Sequence, residues 1–407
     1  MAKQKHYFSC INCGAEYHDT DFMYLCPKCA AENTADMPPK GVLKTLYDYN
    51  AIKNDFGNGL KEEISPLFMP LLPVENAKSF GPLFMQNTPL MKAEGEDFEL
   101  YLKDDSRMPT FSFKDRASFL VSAWAKEKGI DTIVAASTGN AGSSLAGVCA
   151  SQGQKAIICV PAAAPKAKLT QILMYGAQII PVDGTYDDAF DLSVALTEKH
   201  GIFNRNTAYN PFTIEGKKTV SFEIFRQMNF SAPDRIFVSS GDGVILSGVY
   251  KGFEDLLQLG LISKMPHIIS VQAEGSNNII RNMFTDAYSF VPSKTVADSI
   301  SVDLPRNFYM ALDFLTRYNG EGIAVSDDEI LSAGKELTVG NGVFAEPAAT
   351  AAYAGFLNQK AEGKIAKGEK VVVLLTGSGL KDINAVQPLI EIPEPVKAEQ
   401  FLKDFEL

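Results

Sequence analysis

Between residues 132 and 201 the chain alternates two rhythms. Short apolar runs at 132–136, 156–160 and 178–182 predict strands. Between and after them, 143–151, 166–175 and 187–199 carry helical spacing, and Gly176 and Gly201 close the second and third of these helices. A further helix is predicted over 117–128, and further strands over 235–238, 267–271 and 370–375. Near-continuous apolar strands alternating with helices imply parallel sheets covered on both faces. The fold class read from this pattern is α/β, and ligands of such folds bind outside the carboxyl ends of the strands. No repeat of fixed period and no low-complexity segment interrupts it.

Composition narrows the function. The chain has 407 residues, 46% hydrophobic and 21% charged, with a formal net charge of -11. That is globular usage, with core enough for two or three domains. An acidic chain offers no general nucleic-acid surface, and no apolar run is long enough for a membrane span. The amino terminus lacks the apolar core of a secretory signal, so a cytoplasmic protein is expected.

Four of the six cysteines form two pairs, Cys10/Cys13 and Cys26/Cys29, twelve residues apart. Each Cys-x-x-Cys can grip one ion from a tight turn, and four thiolates make a closed tetrahedral site. A structural zinc ribbon is expected over 1–37, with 37–41 (Met-Pro-Pro-Lys-Gly) as a linker. His6 and His18 read as surface histidines, Cys149 and Cys159 as packing residues.

Four loops carry candidate chemistry. Lys114 precedes a helix, in Ser112-Phe-Lys-Asp-Arg116. It reads either as a lysine kept neutral to form a Schiff base or as a solvated lysine at a helix start. Ser137-Thr-Gly-Asn-Ala141 follows a strand and opens a helix, where free amides suit a carboxylate or phosphate or where Ser or Thr simply caps. Ser239-Ser-Gly-Asp-Gly243 is a second candidate cradle, in which Asp242 is suited to accepting backbone amides. Thr376-Gly-Ser-Gly-Leu-Lys-Asp382 follows the last strand and puts a neutral hydroxyl at its end.

Together these loops resemble the threonine synthases, pyridoxal phosphate (PLP) enzymes of the tryptophan-synthase-β-like class. The matching stretches are Pro109-Thr-Phe-Ser-Phe-Lys-Asp-Arg116, Ala136-Ser-Thr-Gly-Asn140, Asn210-Pro-Phe-Thr-Ile-Glu-Gly-Lys-Lys-Thr219, Glu346-Pro-Ala348 and Thr376-Gly-Ser-Gly-Leu-Lys-Asp382. The resemblance implies a two-domain fold type II enzyme with a large PLP-binding domain (42–119 and 206–407) and a small mobile domain (120–205). It implies Lys114 as the Schiff-base lysine and proton shuttle. Phe113, Asn140, Gly241, Asp242, Gly243, Val244, Ile245 and Thr376 would hold the cofactor. Ser137, Thr138, Gly139, Ala141, Asn210 and Thr213 would hold a phosphorylated amino acid. Family members are commonly homodimers.

The sequence also departs from the family. Thr213 stands where the family carries an arginine that grips the substrate phosphate. Phe111 stands where the turn before the lysine has glycine, and its ring is expected to narrow the pocket. Ser378 replaces a histidine, and Gly-Asp-Gly-Val-Ile replaces a Gly-Asn-rich loop. Arg116, Lys166, Lys168, Arg205, Lys217 and Lys218 are the cations available to replace the lost arginine. Threonine synthase is therefore the first expectation. Cysteate synthase, acting on O-phosphoserine and sulfite, is the second. A serine/threonine dehydratase, a diaminopropionate-type ligase and a non-catalytic relative complete the set.

Overall fold

The computed structural model describes residues 5–18, 20, 22–56, 68–94, 97–285, 287–398 and 401–402. β1 (His6–Cys10), β2 (Glu16–Tyr17) and β3 (Leu43–Tyr47) form an antiparallel sheet in the order β2-β1-β3. β4 (Leu90–Ala93) and β5 (Glu99–Asp104) begin a larger sheet. The chain then builds a separate four-stranded sheet from β6 (Thr132–Ala136), β7 (Lys155–Pro161), β8 (Gln178–Val182) and β9 (Phe203–Asn204). Its order is β8-β7-β6-β9, and every pair is parallel. β10 (Arg235–Ser239), β11 (His267–Ala273), β12 (Glu321–Val325) and β13 (Lys370–Leu375) return to complete the larger sheet. That sheet runs β12-β11-β10-β13-β5-β4 and is parallel except at the β4–β5 edge.

The helices follow their caps. Tyr186–His200 opens on a capping box between Thr185 and Asp188 and stops at Gly201, whose φ is 68°. Asn140–Gln152 begins three residues before its predicted start, so Asn140 lies on the helix, not in the loop. The carboxyl ends of β6, β10 and β13 all run directly into the loops singled out above.

The amino-terminal boundary requires correction. β3 pairs with β1 over five residues, from His6↔Tyr47 to Cys10↔Leu43. The ribbon therefore needs the chain to Tyr47, and 37–41 is a turn within it, closed by Cys26 N–H to Gly41 O at 2.8 Å. Nor is it a detached module. Phe22 packs within 5.1 Å of Trp124, Phe203 and Phe212. Phe8 and Phe212 are both fully buried, each contributing about 2–3 kcal/mol by burial. His6 is not a surface residue; it is 7% exposed and edge-on to Phe8 and Phe212. His18 is exposed beside Glu16. Cys149 and Cys159 are buried in the core, where burial pushes their thiols up to about 12 and 11.

Candidate active site

Lys114 is the first residue of the helix Lys114–Glu127. The segment before it is pinned to the loop after β13. Phe113 N–H donates to Thr376 O at 2.8 Å, Ser378 N–H to Phe111 O at 3.0 Å, and Ser112 bridges Gly377. Below, the helix Phe212–Lys217 comes so close that a Cβ on Gly216 would lie 2.3 Å from Arg116 O. Two backbones therefore fix the origin of the Lys114 side chain. Burial pulls its amine below the usual lysine range and the Arg205 guanidinium adds to this, while Asp242 and Glu346 oppose it.

Phe111 adopts the left-handed region at φ 70°, the conformation its glycine counterpart would take freely. Its ring is 47% exposed and is not among the residues lining the central cavity, so it does not narrow the pocket as expected. The left-handed backbone directs the side chain outward.

That cavity measures about 610 Å³ and lies between the four-stranded and the six-stranded sheet. Lys114, Ser137, Thr138, Gly139, Asn140, Ala141 and Asp242 line it. Phe113, Gly241, Gly243, Val244, Ile245, Thr376, Asn210 and Thr213 do not. Phe113 is fully buried, 5.6 Å from the Arg116 guanidinium. Asn210 and Thr213 spend their polar groups on the chain itself: Asn210 Nδ2 donates to Asn204 O at 2.7 Å, and Thr213 Oγ1 to Asn210 O at 2.8 Å.

Asn140 meets a partner whose place the sequence left unassigned. Its Nδ2 donates to Glu346 Oε1 and Oε2 at 2.9 and 3.1 Å and to Ser299 Oγ at 3.1 Å. Glu346 immediately precedes the helix Pro347–Ala361, and its side chain makes no capping hydrogen bond there. Burial pushes its carboxyl up to about 7, against the Asn140 hydrogen bond and the Lys114 charge. Gly377 makes room for it, since a Cβ there would stand 2.3 Å from Glu346 Oε1.

The second cradle holds its own carboxylate. Asp242 Oδ1 accepts Val244 N–H at 2.9 Å, as its residue type suggested. Burial pushes Asp242 up, but Lys217 and Lys114 hold it below the usual carboxylate range. Gly241 is required by close approach: a Cβ would meet Ile300 Cα at 2.8 Å. The segment carrying Ile300 continues to Arg306 and supplies a wall that sequence reasoning missed, including Ser299, Ser301 and Asp303. No apolar period or glycine motif marks it. Two ion pairs tie it across the cavity mouth, Lys168–Asp298 at 2.8 Å and Arg306–Asp187 at 2.5 Å.

The candidate cations separate on geometry. Arg116 is paired with Asp105 and Glu223, Lys168 with Asp298, and Lys218 with Glu215 and Asp255. Lys166 is exposed at a helix start. Among the described residues, Arg205 and Lys217 are buried without a carboxylate in ion-pair distance.

The α/β architecture, with two mainly parallel sheets, agrees with the family comparison. Residues 82–377 match the family model described as pyridoxal-phosphate dependent enzyme. The threonine synthase of Methanocaldococcus jannaschii is 35% identical over 402 residues, 96% of this chain and 96% of that protein. That of Methanosarcina acetivorans is 35% identical, covering 97% and 96%. The chain belongs to the threonine synthase family of PLP-dependent enzymes. Solved structures share the fold: a threonine deaminase from Solanum lycopersicum superposes with TM-score 0.63 at 21% identity, over 78% of this chain and 89% of that one. A diaminopropionate ammonia lyase from Escherichia coli gives 0.63 at 18%, over 81% and 91%.

The donor set fits the family cofactor. An amine, an amide and a helix start after Gly243 face or border one cavity, and the nearby Ser112 Oγ is buried without a hydrogen-bond partner. At the other end, the sulfurs of Cys10, Cys13, Cys26 and Cys29 all lie within 4.8 Å of one another, with Cys10–Cys29 and Cys13–Cys26 at 3.8 Å. A zinc tetrathiolate with ~2.3 Å bonds has edges of about 3.8 Å. The cluster could therefore hold such an ion. No helix is long and apolar enough to cross a membrane among the described residues.

Proposed function

We propose that this chain is a threonine synthase, taking O-phosphohomoserine and water to threonine and phosphate, with PLP in the cavity and a structural zinc in the ribbon. The observation that carries this reading is the meeting of Lys114, Asn140 and Glu346 in and beside one cavity. Likeness along nearly the whole chain to two threonine synthases supports the substrate.

Lys114 and Asn140, which line the cavity, and the helix start after Gly243, which borders it, would hold the cofactor, with Phe113 packed behind the lysine. Bound PLP supplies an electron sink for the carbanion next to the substrate's amine. Lys114 Nζ removes the Cα proton and returns protons to the carbon chain. Burial lowers its pKa, which favours the neutral amine this needs. The amides from Ser137 to Ala141, at the start of the helix Asn140–Gln152, suit the substrate's carboxylate. Glu346 and Ser299 orient the Asn140 amide. Phosphate leaves the γ-carbon and water adds at the β-carbon. The ion pairs at the mouth would exclude bulk water when the two sheets close on the substrate.

The test is direct. PLP-loaded protein is given O-phosphohomoserine, and separately O-phosphoserine with sulfite, while phosphate release and product mass are followed. Threonine from the first is expected. Cysteate from the second with no turnover of the first would replace this reading with cysteate synthase, which the altered leaving-group side (Thr213 and Asp242) favours as the second choice.

A further inference from the structure

Arg205 follows the last strand of the four-stranded sheet, and its backbone N–H bonds Val134 O at 2.8 Å. Its side chain lines the cavity yet is 1% exposed. Nε donates to Ser118 Oγ at 3.1 Å and Nη2 to Lys114 O at 3.3 Å. These are neutral acceptors. A guanidinium taken out of water without a carboxylate is costly, and it is normally retained only where a second charge completes it. Arg116, two residues after Lys114 on the same helix, shows the contrast: its guanidinium is saturated by Asp105 and Glu223.

Lys217 adds a second buried cation. It is fully buried, and its Nζ donates to Thr207 Oγ1 at 3.0 Å, a residue of the same cavity wall. Asp242 lines the same cavity, and its charge acts on both cations. Thr213, by contrast, is turned into the chain and lends the cavity nothing.

We propose that Arg205, backed by Lys217 and Thr207, grips the phosphate of the substrate in place of the arginine that the family carries at position 213. This rests on the proposed function for the substrate's identity, not for its anionic chemistry. A planar fork offers two parallel N–H donors to a phosphate, which Thr213 cannot do. Two phosphates enter such a site, the substrate's and the cofactor's, and the experiment separates them.

The PLP-loaded wild type, Arg205→Gln and Arg205→Lys are compared by three measurements. These are KM and kcat for O-phosphohomoserine, the dissociation constant of inorganic phosphate by calorimetry, and the dissociation constant of PLP. In Arg205→Gln, KM and the phosphate constant are expected to rise about 10- to 100-fold, the loss of a charge-assisted pair of hydrogen bonds. The PLP constant should be little changed, and Arg205→Lys should recover part of the loss. Unchanged phosphate binding overturns the proposal. So does a PLP constant that rises as far as the phosphate constant, which would assign Arg205 to the cofactor. If Arg205→Gln does not fold, Arg205→Lys, which keeps the charge and loses the fork, decides by the same criteria. If the wild type releases no phosphate from O-phosphohomoserine, the proposed function fails alone, and the phosphate titration still decides on Arg205.

Discussion

Gly216→Ala tests whether the lysine is positioned by backbone contact. The added methyl would stand 2.3 Å from Arg116 O and 2.7 Å from Ala117 Cα. Ordinary contact begins near 3.4 Å, so the helix Phe212–Lys217 must retreat by roughly 1 Å from the helix Lys114–Glu127. No side chain can swing aside, because both obstacles are main chain. Overpacking of this kind costs about 1–3 kcal/mol, and the upper end applies where backbone must move. Alanine returns about 1 kcal/mol of helix propensity. The net expectation is a loss of about 2 kcal/mol. Gly340→Ala is the control: it lies in the helix Asp327–Asn341, and an added Cβ meets nothing within 4 Å. There propensity acts alone and about 0.5–1 kcal/mol should be gained. Urea unfolding of the two variants should therefore move in opposite directions, and Gly216→Ala should also weaken PLP binding by displacing Lys114. A Gly216→Ala protein as stable as wild type, binding PLP equally well, would refute the close-approach argument.

Lys114→Ala should lower threonine formation by roughly 10²–10⁴ while circular dichroism stays unchanged; retained turnover would remove Lys114 from the chemistry. Glu346 is held near 7 by burial, so the folded chain keeps a proton there that the unfolded chain releases near 4.5. Stability is therefore lost as pH rises from about 4.5 to 7, by up to about 3 kcal/mol. Glu346→Gln should match wild type at pH 5 and exceed it at pH 8 in urea, and equal pH profiles would contradict this. Cys26→Ser should lower bound zinc from about one per chain and lower the unfolding temperature; zinc content by plasma emission decides. Substrate should shrink the radius of gyration in solution scattering, and identical curves with and without it would count against closure of the small sheet.

The alternation of apolar runs and helical periods located β6, β8 and β13 to the residue, because parallel strands buried on both faces leave unbroken apolar signals. It missed β4 and β12, whose residues are mostly half-buried and carry no such run. The ribbon's third strand is hidden in the sequence because Pro38, Pro39 and Gly41 look like a linker, whereas Gly41 turns the chain back onto β1. The cavity-lining residues next to strand ends, Ser137 to Ala141 and Asp242, are legible because turn and helix start are local. Glu346, Arg205 and the 298–306 wall were brought to the cavity by long-range packing. No spacing within one segment records that.

The two consecutive buried lysines illustrate the same limit. Lys217 and Lys218 are both fully buried, yet they belong to different environments. Lys217 reaches Thr207 on the cavity wall. Lys218 turns to Glu215 and Asp255, where Lys251 supplies a second cation and Tyr47 of β3 donates to Glu215 at 2.6 Å. Two cations against two carboxylates make that cluster locally neutral, which is what allows four charges to stay out of water. Because Tyr47 belongs to the strand that completes the ribbon, the cluster joins the metal-type module to the helix that carries Lys217. The ribbon is thereby fixed to the back of the cavity wall, and its fold and the placement of the wall are one packing problem.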